Sequence, residues 1–192
     1  MRFIIGVDEA GRGPLAGPVA VAAVIADHAL DIAAEFPGVK DSKQISERKR
    51  EALFALLEGR ATRGDLRYAV SFSDADRIDA SGIARVIQNA VAEVVHALAS
   101  EPDTARIMLD GSLKAPPAYP QETIIDGDAL VPIISLASIA AKVTRDRLMY
   151  DMEEQYPGYG FARHKGYGTK AHYAALARLG PSPIHRRTFL HS

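Results

Sequence analysis

Five acidic residues stand at or just past the ends of short apolar runs. Asp8 and Glu9 follow residues 3–7, Asp110 follows 105–109, and Asp126 and Asp128 follow 122–125. Single acids at strand ends are commonly solvated turn formers. The adjacent pair Asp8-Glu9 before Gly11-Arg12-Gly13 is harder to read that way, because a turn needs the glycines and not two neighbouring anions. If the first, fourth and fifth runs are parallel neighbours, their carboxyl ends share one edge of a sheet, where open α/β sheets form ligand sites. Adjacent strands lie about 4.8 Å apart, so Asp8 and Asp110 could reach one cation or a close pair. Carboxylates that converge in this way repel one another unless a cation neutralises them. Oxygen donors without cysteine, and with no histidine nearby in sequence, suit magnesium or manganese rather than zinc.

The elements that would carry these residues are legible from hydrophobic patterning. Residues 3–7 and the Val-rich stretch 17–26 read as strands, separated by a turn at Gly11-Arg12-Gly13-Pro14. Ser46 is a good N-cap for a helix with Ala52, Leu53, Leu56 and Leu57 on one side, ending near Gly59. Residues 66–73 read as a third strand, and a long helix follows with Ile83, Ile87, Val91, Val94, Val95 and Leu98 at three- and four-residue steps. Two further short strands, 105–109 and 122–125, precede a helix over 134–154 whose apolar side is Leu136, Ile139, Ala140 and Val143. Ser135, Ser138 and Lys142 fall on the opposite side. A short helix near 170–179 and an exposed basic tail complete the chain. The order predicts an α/β fold: a mixed sheet with a meander followed by parallel additions.

Composition narrows the function further. With 47% hydrophobic and 24% charged residues, the 192-residue chain is neither disordered nor fibrous. It contains no cysteine, which excludes a disulfide scaffold, a thiolate zinc site and a cysteine nucleophile. The opening MRFIIGVDEAGRG lacks the form of a signal peptide, and no apolar stretch approaches the ~20 residues that span a bilayer, so a cytoplasmic protein with no membrane partner is expected. A dinucleotide site fails on spacing. After Gly11 and Gly13 the third glycine, Gly17, comes one residue too late, and the chain then enters a strand instead of a helix.

The stretch 6–19, GVDEAGRGPLAGPV, resembles the opening motif of the type 2 ribonucleases H, specifically bacterial ribonuclease HII. The likeness continues through Asp41-Ser42-Lys43, Leu109-Asp110-Gly111, Gly127-Asp128, residues 134–146, Tyr159-Gly160-Phe161, His164-Lys165-Gly166-Tyr167 and His185-Arg186-Arg187-Thr188-Phe189. It implies a single ribonuclease H-like domain over 1–192, with a five-stranded mixed sheet flanked by helices and a helical C-terminal segment. It also implies cleavage of the RNA strand of RNA–DNA hybrids and nicking at single ribonucleotides in duplex DNA, leaving 5′-phosphate and 3′-hydroxyl ends. Two Mg2+ or Mn2+ ions would be held by Asp8, Glu9, Asp110 and Asp128, with Asp8 and Asp110 facing both. Asp126 falls outside the pattern, and Asp146 beside Arg145 reads as a structural ion-pair partner. Gly82 stands where the family often has Asn and should weaken its helix, and Thr188 stands where it often has Ser. The absence of the extra N-terminal domain of ribonuclease HIII favours the HII assignment, and a monomer is expected.

By the same resemblance, Gly11-Arg12-Gly13 contacts the 2′-hydroxyl that tells RNA from DNA, and Tyr167 packs on the next sugar. Residues 155–192 carry Arg163, Lys165, Lys170, Arg178, Arg186 and Arg187 and no acid, a local charge of +6. That balance suits a phosphate backbone, so Lys165 and Arg186, with Lys43, Ser138 and Lys142, are the expected nucleic-acid contacts. The segment about 155–192 is thus expected to bind substrate. Two other classes stay open: a catalytically silent binder of hybrid duplexes, and a metal-dependent nuclease of similar fold acting on branched DNA.

Overall fold

The computed structural model describes residues 1–39 and 45–190. Strands β1 (Phe3–Ala10), β2 (Val19–Asp27), β3 (Leu66–Ser73), β4 (Ala105–Asp110) and β5 (Gln121–Ile124) form one sheet in the order β3-β2-β1-β4-β5. β1 pairs antiparallel with β2, and β2 with β3, while β1–β4 and β4–β5 are parallel. This is the expected mixed sheet. Helix α1 (Ile32–Glu35) and the helix expected from Ser46, α2 (Glu47–Arg63), lie between β2 and β3, so the sheet's antiparallel half is not a plain meander.

Ser46 caps α2 by accepting from the Lys49 amide at 3.3 Å. The helix runs through Gly59 and stops at Gly64, which is left-handed at φ 82°. Its buried side is Leu53, Phe54 and Leu57, so the apolar face is turned from the one expected, and Ala52 and Leu56 are exposed. Beyond β3 the expected long helix is two helices, α3 (Ala75–Ser81) and α4 (Ile83–Leu98). Gly82, at φ 78° and ψ 144°, ends one and starts the other, so it breaks the helix instead of merely weakening it. The short α5 (Gly127–Leu130) precedes the 24-residue α6 (Pro132–Gln155), and α7 (Phe161–His164) and α8 (Lys170–Leu179) follow.

Two apolar layers enclose the sheet. On one face α4 buries Val86, Ile87, Val91 and Val95 against Ile5, Val7, Val21 and Ile107. On the other, α2 and α6 bury Phe54, Leu57, Leu136 and Ala140 against Ala22, Val24 and Ala26. The approach of α6 to β1 is unusually close. A Cβ built on Gly6 would lie 2.3 Å from the Ile133 carbonyl oxygen, so only glycine admits the helix here.

The C-terminal segment is not a solvated tail. Phe161, Tyr159 and Ala175 pack with Ala16 and Met149 into a third apolar cluster. Ala16 pairs with His185 in an isolated antiparallel bridge. The Leu15 amide donates to the Gly166 carbonyl at 2.9 Å, and the Arg186 amide donates to the Leu15 carbonyl at 2.9 Å. Residues 15–17, which follow β1, are thereby sewn to the end of the chain.

Gly6→Ala should push α6 off β1 and destabilise the protein by ~1–3 kcal/mol, the usual cost of overpacking a close contact. Urea denaturation would show this as a lower midpoint at constant slope. An unchanged midpoint would contradict the close approach.

Candidate active site

The parallel register sets Val7 opposite Leu109, so Asp8 and Asp110 are the next residue on each of two adjacent strands. Strand alternation places both on the α6 side of the sheet. Asp128 comes from α5, where its amide donates to Asp110 Oδ1 at 3.2 Å. Asp8, Glu9, Asp110 and Asp128 all line one open cavity of about 400 Å³. Gly11, Arg12, Gly13, Ser138, Lys142 and Tyr167 line it too. The structure therefore brings together most of the residues singled out by sequence.

Asp8 is 5% and Asp128 1% exposed. Burial holds the Asp8 carboxyl well above its ordinary range; a Ser138 hydrogen bond opposes this, and the charges of Asp110 and Glu9 reinforce it. Glu9 is also raised by burial, against the pull of Arg12 and with a push from Asp110. Arg12 Nη1 lies 3.4 Å from Glu9 Oε1. Among the described residues, no three His, Asp or Glu side chains stand together at metal-ligating spacing. The donor set still fits a hard divalent cation, being all carboxylate, partly desolvated and mutually repulsive.

Ser135 is fully buried, not on a solvent face. Its hydroxyl donates to the carbonyls of Asp128 at 2.5 Å and Val131 at 3.1 Å, tying α5 to α6. Lys142 pairs with Asp146 at 2.7 Å along the helix, so the structural partner of Asp146 is Lys142 rather than Arg145. Asp126, left-handed at φ 53°, does not line the cavity. Arg50 does line it, and the sequence reading missed it. Arg48, Lys49 and Arg50 sit in the first turn of α2, where the helix dipole disfavours cations, and that misfit was the available signal.

Two expected phosphate contacts are placed elsewhere. Arg186 is fully buried, with Nε, Nη1 and Nη2 donating to the carbonyls of Gly17 (3.0 Å), Arg12 (3.0 Å) and Gly11 (2.6 Å). Burial, then repulsion from Arg145, brings its guanidinium down to about 9. Lys165 is buried as well, donating to the Ala162 carbonyl with its ammonium 3.5 Å from the Tyr150 ring centroid. Neither side chain is free to meet a phosphate. Lys43 lies outside the described residues.

Tyr167, 44% exposed at the cavity, is held from behind by histidines. The Ser182 amide donates to His185 Nδ1 at 2.9 Å, which leaves Nε2 as the protonated nitrogen of the neutral ring. That nitrogen donates to His172 Nε2 at 3.0 Å, and His172 Nδ1 in turn donates to the Tyr167 carbonyl at 2.9 Å. The chain works only with neutral rings. Burial lowers His172, and burial together with the neighbouring His172 takes His185 down to about 4.

Residues 5–192 match the family model described as Ribonuclease HII. A Ribonuclease HII of Geobacter metallireducens is 52% identical over 186 residues, covering 97% of this chain and 83% of the relative. One from Coxiella burnetii is 45% identical over 187 residues, covering 97% and 88%. Among solved structures, the ribonuclease H2 from Pyrococcus horikoshii OT3 superposes with a TM-score of 0.74 at 30% identity, over 97% of this chain and 93% of that one. The RNase HII of a PCNA:RNase HII complex from Archaeoglobus fulgidus gives 0.78 at 24% identity, over 99% and 96%, a likeness of fold alone.

A histidine at about 4 in the folded state and 6.5 unfolded contributes stability above pH 6.5 that is lost as the pH falls toward 4, because the unfolded chain takes up the proton first. The raised carboxyls of Asp8 and Glu9 act in the opposite sense, so the comparison must be with a variant. The cost of His185→Gln, measured by denaturation, should shrink by up to about 3 kcal/mol between pH 7 and pH 4. A cost independent of pH would contradict the neutral chain.

Proposed function

The chain belongs to the ribonuclease HII family, a metal-dependent ribonuclease H acting on RNA–DNA hybrids, and from that premise we propose that it also nicks duplex DNA at single embedded ribonucleotides by a two-ion hydrolysis. The observation that carries this reading is the convergence of four carboxylates, Gly11-Arg12-Gly13 and Tyr167 on one cavity. The carboxylates would hold Mg2+ or Mn2+. When bound, such a pair of ions activates the attacking water and stabilises the departing oxygen.

The remaining work falls to the chain's own groups. Asp8 and Asp110, adjacent across β1 and β4, would face both ions, with Glu9 and Asp128 on either side. The mutual repulsion of these carboxylates would be relieved by the positive charge of the ions. The Asp128 backbone is held by the hydrogen bond its amide donates to Asp110 and by Ser135, which fixes its carbonyl. The backbone of Gly11-Arg12-Gly13, unobstructed by side chains at its two glycines, would meet the 2′-hydroxyl, the group that distinguishes ribose from deoxyribose. Tyr167 would pack on the following sugar, where an added hydroxyl would crowd the ring. Ser138 and Lys142, with Arg50 as an addition, line the cavity and would face the scissile phosphate there, and the products would carry 5′-phosphate and 3′-hydroxyl ends.

The chain would act as a monomer. Among the described residues no helix is long and apolar enough to cross a membrane, and action on cellular DNA would suit a cytoplasmic location. The segment 155–192 would serve substrate through Tyr167 rather than through Lys165 and Arg186.

The test is cleavage, with magnesium, of a DNA duplex containing one ribonucleotide, beside all-DNA and all-hybrid controls. Cutting at the ribonucleotide and in the hybrid, with none in all-DNA, is expected; failure on the single-ribonucleotide duplex would remove the nicking activity. Asp110→Asn keeps an acceptor for the Asp128 amide and should fold normally, yet lose about a hundredfold or more in rate by removing a charge both ions share. Near wild-type cleavage by that variant would refute the carboxylate assignment. Magnesium or manganese at millimolar concentration should also raise the melting temperature of the wild type by binding the folded state, and no shift in low salt would count against a clustered site.

A further inference from the structure

Two buried arginines lie directly beneath Gly11-Arg12-Gly13, and together they send six hydrogen bonds to carbonyl oxygens. Arg186 takes those of Gly11, Arg12 and Gly17. Arg145, also fully buried, donates from Nε to Pro18 at 2.8 Å, and from Nη2 to Lys165 at 2.9 Å and to Ala16 at 3.4 Å. Gly11 is left-handed at φ 89°, and a Cβ there would fall 1.9 Å from Arg145 Nε, so the loop backbone rests on the guanidinium itself.

Peptide geometry gives these bonds a consequence on the opposite side of the loop. In a trans peptide the carbonyl of one residue and the amide of the next point in opposite directions, and the chain has no cis peptide among the described residues. With the Gly11 and Arg12 carbonyls drawn inward onto Arg186, the amides of Arg12 and Gly13 are turned away from it. The guanidinium suits this task because its donors diverge in one rigid plane, which an ammonium cannot imitate.

We propose that Arg186 is a positioning residue for ribose recognition: by clasping the carbonyls of Gly11 and Arg12 it aims the Arg12 and Gly13 amides at the substrate. Arg145 joins this loop to the wall that bears Tyr167, through Ala16 and Pro18 on one side and Lys165 on the other. Its Cζ lies 5.9 Å from the Tyr167 ring centroid. The two surfaces that would read a ribose and its neighbour are thus braced by one pair of cations, and neither cation touches the substrate. The inference rests on the proposed role of this loop in sensing the 2′-hydroxyl.

The test compares Arg186→Lys with wild type in magnesium, using the single-ribonucleotide duplex as substrate and an all-DNA duplex as competitive inhibitor across a salt series. Wild-type cleavage of the first duplex tests the underlying reading; the difference between the two proteins tests the clasp. The variant should lose about a hundredfold in kcat/KM, the scale of a small misplacement, with its KM rising toward the inhibition constant of all-DNA. That inhibition constant and its log–log salt slope should stay as in wild type. A slope flatter by about one unit would make Arg186 a phosphate contact after all. A kcat reduced by one factor on every substrate, with each KM unchanged, would leave it a merely structural residue. Either result overturns the proposal. Should the variant fail to fold, hydrogen exchange at arginine Nε in the wild type decides. The Arg186 Nε–H should exchange at least about a hundredfold more slowly than that of exposed Arg187, the protection of a buried bond, and equal rates would overturn the clasp.

Discussion

Between β1 and β4 the backbones run parallel with Val7 opposite Leu109, and the next residue along each strand is an aspartate. The pairing gives Asp8 and Asp110 a shared edge, and α6 seals the face toward which both point. Because Gly6 lets that helix press onto the strand, Ser138 arrives within hydrogen-bonding reach of Asp8. Shifting the register by one residue would turn one aspartate to the opposite face and dissolve the site. The sheet's order and the glycine at position 6 are therefore conditions for the chemistry as much as for the fold.

That edge is electrostatically unfavourable, and the surrounding structure shows how the chain maintains it. Burial and like charge raise both Asp8 and Glu9, so the site is held together by the sheet and the cap of α5 rather than by attraction among its own groups. The Asp128 backbone is fixed by the hydrogen bond from its amide to Asp110 and by the one its carbonyl accepts from Ser135. Such a frame around repelling acids is compatible with the proposed cation, since apolar packing on both faces of the sheet supplies the energy that holds it.

Much of this was legible in the sequence, and the reasons for the remainder are specific. Strand-end acids announce themselves because an apolar run fixes where a strand ends, and the order of strands limits which ends meet. What the sequence could not convey is what a basic residue bonds to. Arg186 and Lys165 belong to a run of positive charge without acids, which suggests a phosphate surface. Their partners are carbonyls, those of Arg186 lying up to 175 positions away, and carbonyls leave no mark in a sequence. The rotated face of α2 is a smaller case of the same kind: Phe54 was hidden because its neighbours Ala52 and Leu56 gave an equally good apolar pattern. Gly82 was read for its propensity when its backbone angle was what counted.

The placement of the cations resolves an apparent contradiction in a chain with nearly balanced charge. Arg145 and Arg186 lie behind the loop that lines the acidic cavity, and the simplest use of them would be to neutralise its acids. Had either guanidinium bonded Asp8 or Asp128, the acids would be satisfied internally and a divalent ion would have to displace a charged, bidentate partner. Instead the hydrogen bonds of both arginines go to backbone carbonyls, and burial, reinforced by repulsion from Arg145, lowers Arg186. Lys142 is engaged by Asp146 and Lys165 by a carbonyl and a ring, leaving Arg12 on Glu9, at 3.4 Å, as the one ion pair to a cavity carboxylate among the described residues. Both guanidiniums are thus committed to the backbone, where they shape the loop at Gly11-Arg12-Gly13 and its neighbours.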